Sequence, residues 1–264
     1  MKQRSLKTKL LLLTMGLFLA SGLAMTLMQS SSLNTLRSNI VSQTRQALEQ
    51  EVSRTLQFQA ERYAVQIADL LQQSYQVPLG MAAQLEGSMA QPDRLLSRPQ
   101  VETLLHSRLQ QAGGISSIYA QFEPDGYDGQ DASWQAGASH SVVGKGSLEI
   151  YFTRDQGGQI SQQPVDAATS AAKYDTSVNE FGIRNSEWYL CGRDTLRPCL
   201  MEPYLYEISP GNKMLMTSLT VPVLKAGKFV GITGVDMNLP IFQQLAGNLG
   251  KSLYDNEAEV TLVS

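Results

Sequence analysis

Nineteen uncharged residues, Leu10 to Met28, follow a cluster of four cations, Lys2, Arg4, Lys7 and Lys9. An α-helix rises about 1.5 Å per residue, so a run of this length spans most of a ~30 Å hydrocarbon core. Cations are retained on the cytoplasmic side. The pattern predicts a cytoplasmic N-terminus over 1–9, a transmembrane helix over 10–28 and everything later outside the cytoplasm. A cleaved secretory signal peptide is the competing reading. Against it, the run exceeds the usual signal core, and the small residues Ala20, Ser21, Gly22 and Ala24 fall inside it rather than after it. Both readings export residues 29–264.

The exported part, about 235 residues, is long enough for one large or two small domains. Of 21 Lys+Arg, four lie before the apolar run; the remaining 17 face 24 Asp+Glu, a balance of −7. That sign disfavours nucleic acid or anionic lipid as partner and is compatible with a cationic ligand. Cys191 and Cys199 are the only cysteines. In an oxidising compartment such a pair predicts a disulfide closing a short loop. The only histidines, His106 and His140, are far from them in sequence, which argues against a metal site.

Val41, Leu48, Val52, Leu56, Ala60, Ala64, Ile67 and Leu71 form one apolar stripe at helical period. With no Gly or Pro before Pro78, the stripe predicts a long signalling and dimerisation helix over 29–77. At about 1.5 Å per residue it is too long to bury against one small domain, so its membrane-proximal part is expected to pair with a second copy. A second helix is expected near Gly80–Met89. Another opens at Arg98-Pro99, with proline in its first turn, and ends before Gly113-Gly114.

The period then changes to two. ISSIYAQFE and SLEIYFTRD read as strands, with a Gly157-Gly158 turn leading into QISQQP. After a helical or loop stretch over 165–186, EWYL, PYLYEIS, MLMTSLTVPVL and FVGITGVDMNL also read as strands. Pro210-Gly211-Asn212 and Lys225-Ala226-Gly227 supply turns for an antiparallel meander. A closing helix over Leu239–Leu249 and a further strand, EVTLVS, are expected. The fold class is α+β: an N-terminal transmembrane helix, a long helix, then a PAS-like antiparallel sheet with flanking helices on one side.

Trp188-Tyr189, Pro203-Tyr204, the strand SLTVPV, a glycine turn and then Gly231-Ile232-Thr233-Gly234-Val235-Asp236 together resemble the membrane-distal module of double Cache sensors. These are extracytoplasmic domains of bacterial chemoreceptors and histidine kinases. The resemblance implies a membrane-distal ligand-binding module over 78–249 and the start of a truncated membrane-proximal module over 250–264. It also implies a second membrane helix and cytoplasmic signalling parts beyond Ser264, which would reach a kinase and an adaptor. It implies no enzyme activity, cofactor or metal. A chemoreceptor output is expected; a histidine kinase or a cyclic-dinucleotide enzyme is the alternative.

In amino-acid-binding members the carboxylate matching Asp236 grips the ligand ammonium, and aromatics matching Trp188, Tyr189 and Tyr204 wall the pocket. An acidic residue at the end of so apolar a strand is costly to bury without a compensating cation or hydrogen bonds. Capping the next helix is the alternative role for Asp236. This chain departs from the family where the ligand carboxylate is held. Ser186 stands where those members carry an arginine two residues before the tryptophan, and Arg184 lies four before. Pro203-Tyr204-Leu205-Tyr206 replaces Pro-Tyr-x-Asp. A ligand with amines and no carboxylate, a polyamine or biogenic amine, is therefore expected; an amino acid held by Arg184 is the second reading. A diamine needs a further anion, for which Asp175 is favoured over Glu187, Glu123 and Asp125. Tyr151, Tyr206 and Phe181 complete the candidate ligand set. Asp125, Asp128 and Asp131 do not follow the EF-hand spacing. No hydrolase, zinc-protease or P-loop motif occurs.

Overall fold

The computed structural model describes residues 6–155, 157–209 and 212–238, with isolated positions 240 and 247. The expected closing helix and the strand EVTLVS lie almost entirely outside the described residues. Two units divide the chain, Met1–Arg62 and Tyr63–Ser264.

The apolar run and the long helix are one element, α1, Leu6–Met89. Its most apolar 18-residue window has mean hydropathy 2.1 and is unburied, so by length and composition it is able to cross a membrane. In the first unit the apolar side chains, among them Leu36, Ile40 and Leu48, are exposed. The sequence divided this helix at Pro78, and the structure corrects that. Proline removes one backbone donor and crowds the preceding turn, yet the helix continues to Met89. Packing explains the continuation: Pro78 is buried, its carbonyl accepts the Thr233 hydroxyl at 2.9 Å, and Met81, Leu85 and Met89 beyond it are core residues.

The helix α2, Arg98–Gln111, starts where proline predicts, and Gln100 Oε1 caps it by accepting from the Ser97 amide at 2.8 Å. Its first-turn Arg98 is buried and holds Asp128, Asp131 and Ser141, clipping the 123–147 loop to the helix. Asp128 and Asp131 are thus ion-paired, and Asp125 exchanges backbone-to-carboxylate bonds with Asp131.

A seven-stranded antiparallel sheet follows: β1 Ser117–Phe122, β2 Glu149–Arg154, β3 Ile160–Gln162, β4 Cys199–Leu200, β5 Tyr204–Ser209, β6 Asn212–Lys225 and β7 Lys228–Asn238. The order is β3-β2-β1-β7-β6-β4, with β5 also paired to β6. The β6–β7 turn places Ala226 and Gly227 both at positive φ, 51° and 76°, as a tight two-residue hairpin requires.

Two further α-helices are α3 (Ala167–Ala172) and α4 (Glu187–Thr195). EWYL, expected as a strand, is the first turn of α4. A four-residue apolar run fits a strand or a buried helix turn equally well. Here Ser186 precedes the helix, acidic Glu187 opens it, and Leu196 ends it in the left-handed region at φ 56°. Helices therefore cover both faces of the sheet, not one. Ile118, Phe122, Ile150, Leu219, Val221 and Val235 pack against α1 and α2, whereas Tyr119 and Ile232 pack against Tyr189 and Leu190 of α4.

Candidate functional site

Side chains alternate across a strand, so the residues between those of the α1–α2 core share the opposite face. The register arranges them in rows. Ser218, Asp236, Ser117 and Thr153 are neighbours in one row, Thr220, Gly234, Tyr119 and Tyr151 in the next, and Pro222, Ile232, Gln121 and Glu149 in the third. Most of these groups are polar, and nearly all are buried.

Asp236 lies inside β7, between β1 and β6, and is 3% exposed. Its carboxylate accepts from the Ser218 hydroxyl at 2.6 Å and from the Ser117 hydroxyl; the Tyr151 hydroxyl lies 3.5 Å away. Burial, the dominant effect, raises its pKa above the usual carboxylate value, and the hydroxyls of Ser117, Ser218, Tyr151 and Tyr119 oppose that rise.

Gly234 is needed where it stands. A Cβ there would fall 2.3 Å from Tyr119 Cζ, so only glycine lets that ring lie across β7. The Tyr119 ring in turn meets Trp188 and Tyr151 edge-on, with centroids 5.6 and 6.0 Å away. Such pairs contribute about 0.5–1.5 kcal/mol beyond area burial. Tyr119 has its hydroxyl pKa pushed well up by burial and by the Asp236 charge.

The two α4 aromatics have different surroundings. Trp188 is half-buried; Tyr189 is fully buried and donates to Glu123 Oε1 at 2.7 Å. Tyr174 donates to the other Glu123 oxygen, also at 2.7 Å. A disulfide joins Cys191 on α4 to Cys199 on β4, whose strand pairs Cys199 with Thr220. It fastens the aromatic helix to the edge of the polar face.

Tyr204 is half-buried, with its hydroxyl 2.7 Å from that of Ser218, itself a donor to Asp236. Tyr206, on β5, pairs with Met214 of β6, and its side chain lies outside the described residues. Other expected members fall away from this cluster. Asp175 is exposed and accepts from Ser177 and Asn185. Phe181 is 76% exposed. Glu187 pairs with Arg184 at 2.6 Å, and Arg184 also holds Asp194. Ser117, Tyr119, Ser218, Glu149 and Lys173 are additions. For the four on strands the signal was the polar half of each alternating strand, which the sequence offers without saying that it is buried; Lys173, directly after α3, had no such signal.

The chain is 29% identical over 150 residues to the methyl-accepting chemotaxis protein TlpQ of Pseudomonas aeruginosa, covering 57% of this chain and 20% of that protein. It thus spans about a fifth of this curated relative. Among solved structures it resembles a methyl-accepting chemotaxis protein X, with TM-score 0.58 and 22% identity, over 76% of this chain and 68% of the other. It also resembles the extracellular domain assigned to a histidine kinase, mmHK1S-Z2, with TM-score 0.55 and 22% identity, over 70% and 60%. These structures share the fold. The family model for the first PDC sensor domain of methyl-accepting chemotaxis protein-like receptors matches residues 101–244, β1 to β7 with the polar face and both its cysteines included, and the chain belongs to that family.

Proposed function

We propose that this chain is the extracytoplasmic sensing part of a bacterial chemoreceptor and that it binds a small cationic amine, a polyamine or biogenic amine. The observation that carries the reading is Asp236: a carboxylate in the middle of a sheet, 3% exposed, facing hydroxyls and no cation among the described residues. Burying a charge is expensive unless a partner compensates it. A ligand ammonium would supply that partner, and the rings of Trp188, Tyr151 and Tyr204 nearby would favour it through their π faces.

The amino-acid alternative needs a cation for the ligand carboxylate. Ser186 donates its hydroxyl to the Ala172 carbonyl, and Arg184 is engaged by Glu187 and Asp194. Neither is free to take that role, which favours an amine without a carboxylate.

In this reading residues 78–249 form the distal module of a double Cache sensor and 250–264 open the proximal one. Residues 10–28 cross the inner membrane, with 1–9 in the cytoplasm. Residues 29–77 pair with a second copy and carry ligand state towards a cytoplasmic kinase and adaptor. A thermal-shift screen of amines and amino acids on wild type and Asp236→Asn tests the ligand class. Amines are expected to raise the wild-type melting temperature and to leave the variant unmoved; a shift with amino acids alone would overturn the reading.

A further inference from the structure

A lysine already occupies an ammonium site on the same face. Lys173 directly follows α3 and is 1% exposed. Its Nζ donates to Glu149 Oε1 at 2.8 Å and to the Phe122 carbonyl at 2.7 Å. It lies 5.3 and 5.2 Å from the ring centroids of Tyr174 and Tyr189. A carboxylate, a carbonyl and two π faces are the groups that hold a primary ammonium out of water. Glu149 Oε1 also accepts from Ser147 and Ser170, while its buried Oε2 has no partner among the described residues. Stability alone is a poor reason for such an ion pair, since desolvation offsets most of its attraction and an apolar pair of similar volume often serves as well. Glu149 stands opposite Gln121 and Asp236 opposite Ser117, four residues along β1, or ~13 Å.

We infer that Glu149, the Phe122 carbonyl, Tyr174 and Tyr189 form a second primary-ammonium site on the ligand face, with Lys173 as its built-in occupant. The ligand class comes from the amine reading of Asp236. Lys173 then sets ligand length: one charged end binds at Asp236, and the far end of the face is closed to a second ammonium.

The test is thermal melting of the full chain in detergent with n-butylammonium chloride, a free mimic of the lysine side chain, against sodium chloride at equal ionic strength. The proteins are wild type, Lys173→Ala, and a double variant, Lys173→Met with Glu149→Gln, that carries neither charge. Lys173→Ala is expected to melt below wild type and to recover most of the loss with butylammonium, whereas the double variant gains no more than wild type. A gain in Lys173→Ala no larger than in wild type overturns the proposal. So does a Lys173→Ala chain that stays unfolded at every amine concentration while the double variant folds. Recovery of Lys173→Ala with no gain in wild type upholds this site and counts against Asp236 as an amine site. A gain in wild type that Lys173→Ala merely equals does the reverse. Spermidine is expected to bind Lys173→Ala about tenfold more tightly than wild type or better; unchanged affinity overturns the length limit.

Discussion

The two faces of this sheet are made by the same strands, one residue apart. Towards α1 and α2 stand Ile118, Ala120, Phe122, Ile150, Phe152, Val221 and Val235, and the Thr233 hydroxyl on that side is satisfied by the Pro78 carbonyl. Towards α4 stand Ser117, Tyr119, Gln121, Glu149, Thr153, Ser218, Thr220 and Asp236, all at most 7% exposed. Burial is alike and chemistry opposite. Apolar side chains there gain from leaving water, while each polar group must find a partner or lose about 1–3 kcal/mol. Gln121 Oε1, Thr220 Oγ1 and Glu149 Oε2 find none among the described residues. A fold selected for stability alone would make both faces like the first. The second is therefore where we propose that the ligand binds.

The largest expected effect belongs to the apolar face. Ile150→Ala should cost about 2–5 kcal/mol in denaturant unfolding through the cavity it leaves and should leave amine affinity within twofold of wild type. A large affinity loss in a folded Ile150→Ala protein would break the division of labour between the faces. Next comes the staple at the edge of the polar face. Replacing Cys191 and Cys199 together by serine should lower stability by about 2–3 kcal/mol and weaken amine binding, because α4 carries Trp188 and Tyr189.

A third comparison is in pH. Asp236 has a folded pKa above its unfolded one, so the folded state holds its proton more tightly. Its contribution to the ligand-free protein is present at low pH and is lost as pH rises from the unfolded value through the folded value. Asp128, where Arg98 outweighs burial, and Asp194, held by Arg184, are lowered and act in the opposite sense, losing stability as pH falls. The difference between wild type and Asp236→Asn isolates the one group. The Asn variant should gain relative stability as pH rises across that window, and wild-type amine affinity should fall as pH drops through it. A difference that does not vary with pH would sink the assignment.

The smallest effect sharpens the contrast. Thr220→Val removes a buried hydroxyl without a partner and should be neutral or stabilising by up to about 1 kcal/mol. On the apolar face the Thr233 hydroxyl is bonded to the Pro78 carbonyl, and the same change there should destabilise by about 1 kcal/mol through loss of that bond.

Strong periodicity was legible. The ends of α2, the β2–β3 pair and the β6–β7 hairpin lie where proline, glycine and alternation put them, and the Cys191–Cys199 bond formed as expected. The failures have physical reasons. EWYL is too short for its period to separate helix from strand, and the packing that keeps α1 helical through Pro78 comes from Thr233, more than a hundred residues away. In the site, Asp236 and its neighbour Tyr151 were readable from type and position. Ser117 and Ser218 were not, because only the register of β1, β7 and β6 brings them to that carboxylate. Nothing local to Lys173 announces that Glu149 waits across the fold.

The central claim is that the polar face holds an ammonium group at Asp236. Calorimetric titration of putrescine into wild type and Asp236→Asn tests it most directly. Saturable binding to wild type that is lost in a variant with an undiminished melting temperature is the predicted result. Equal putrescine affinity in the two proteins would contradict it.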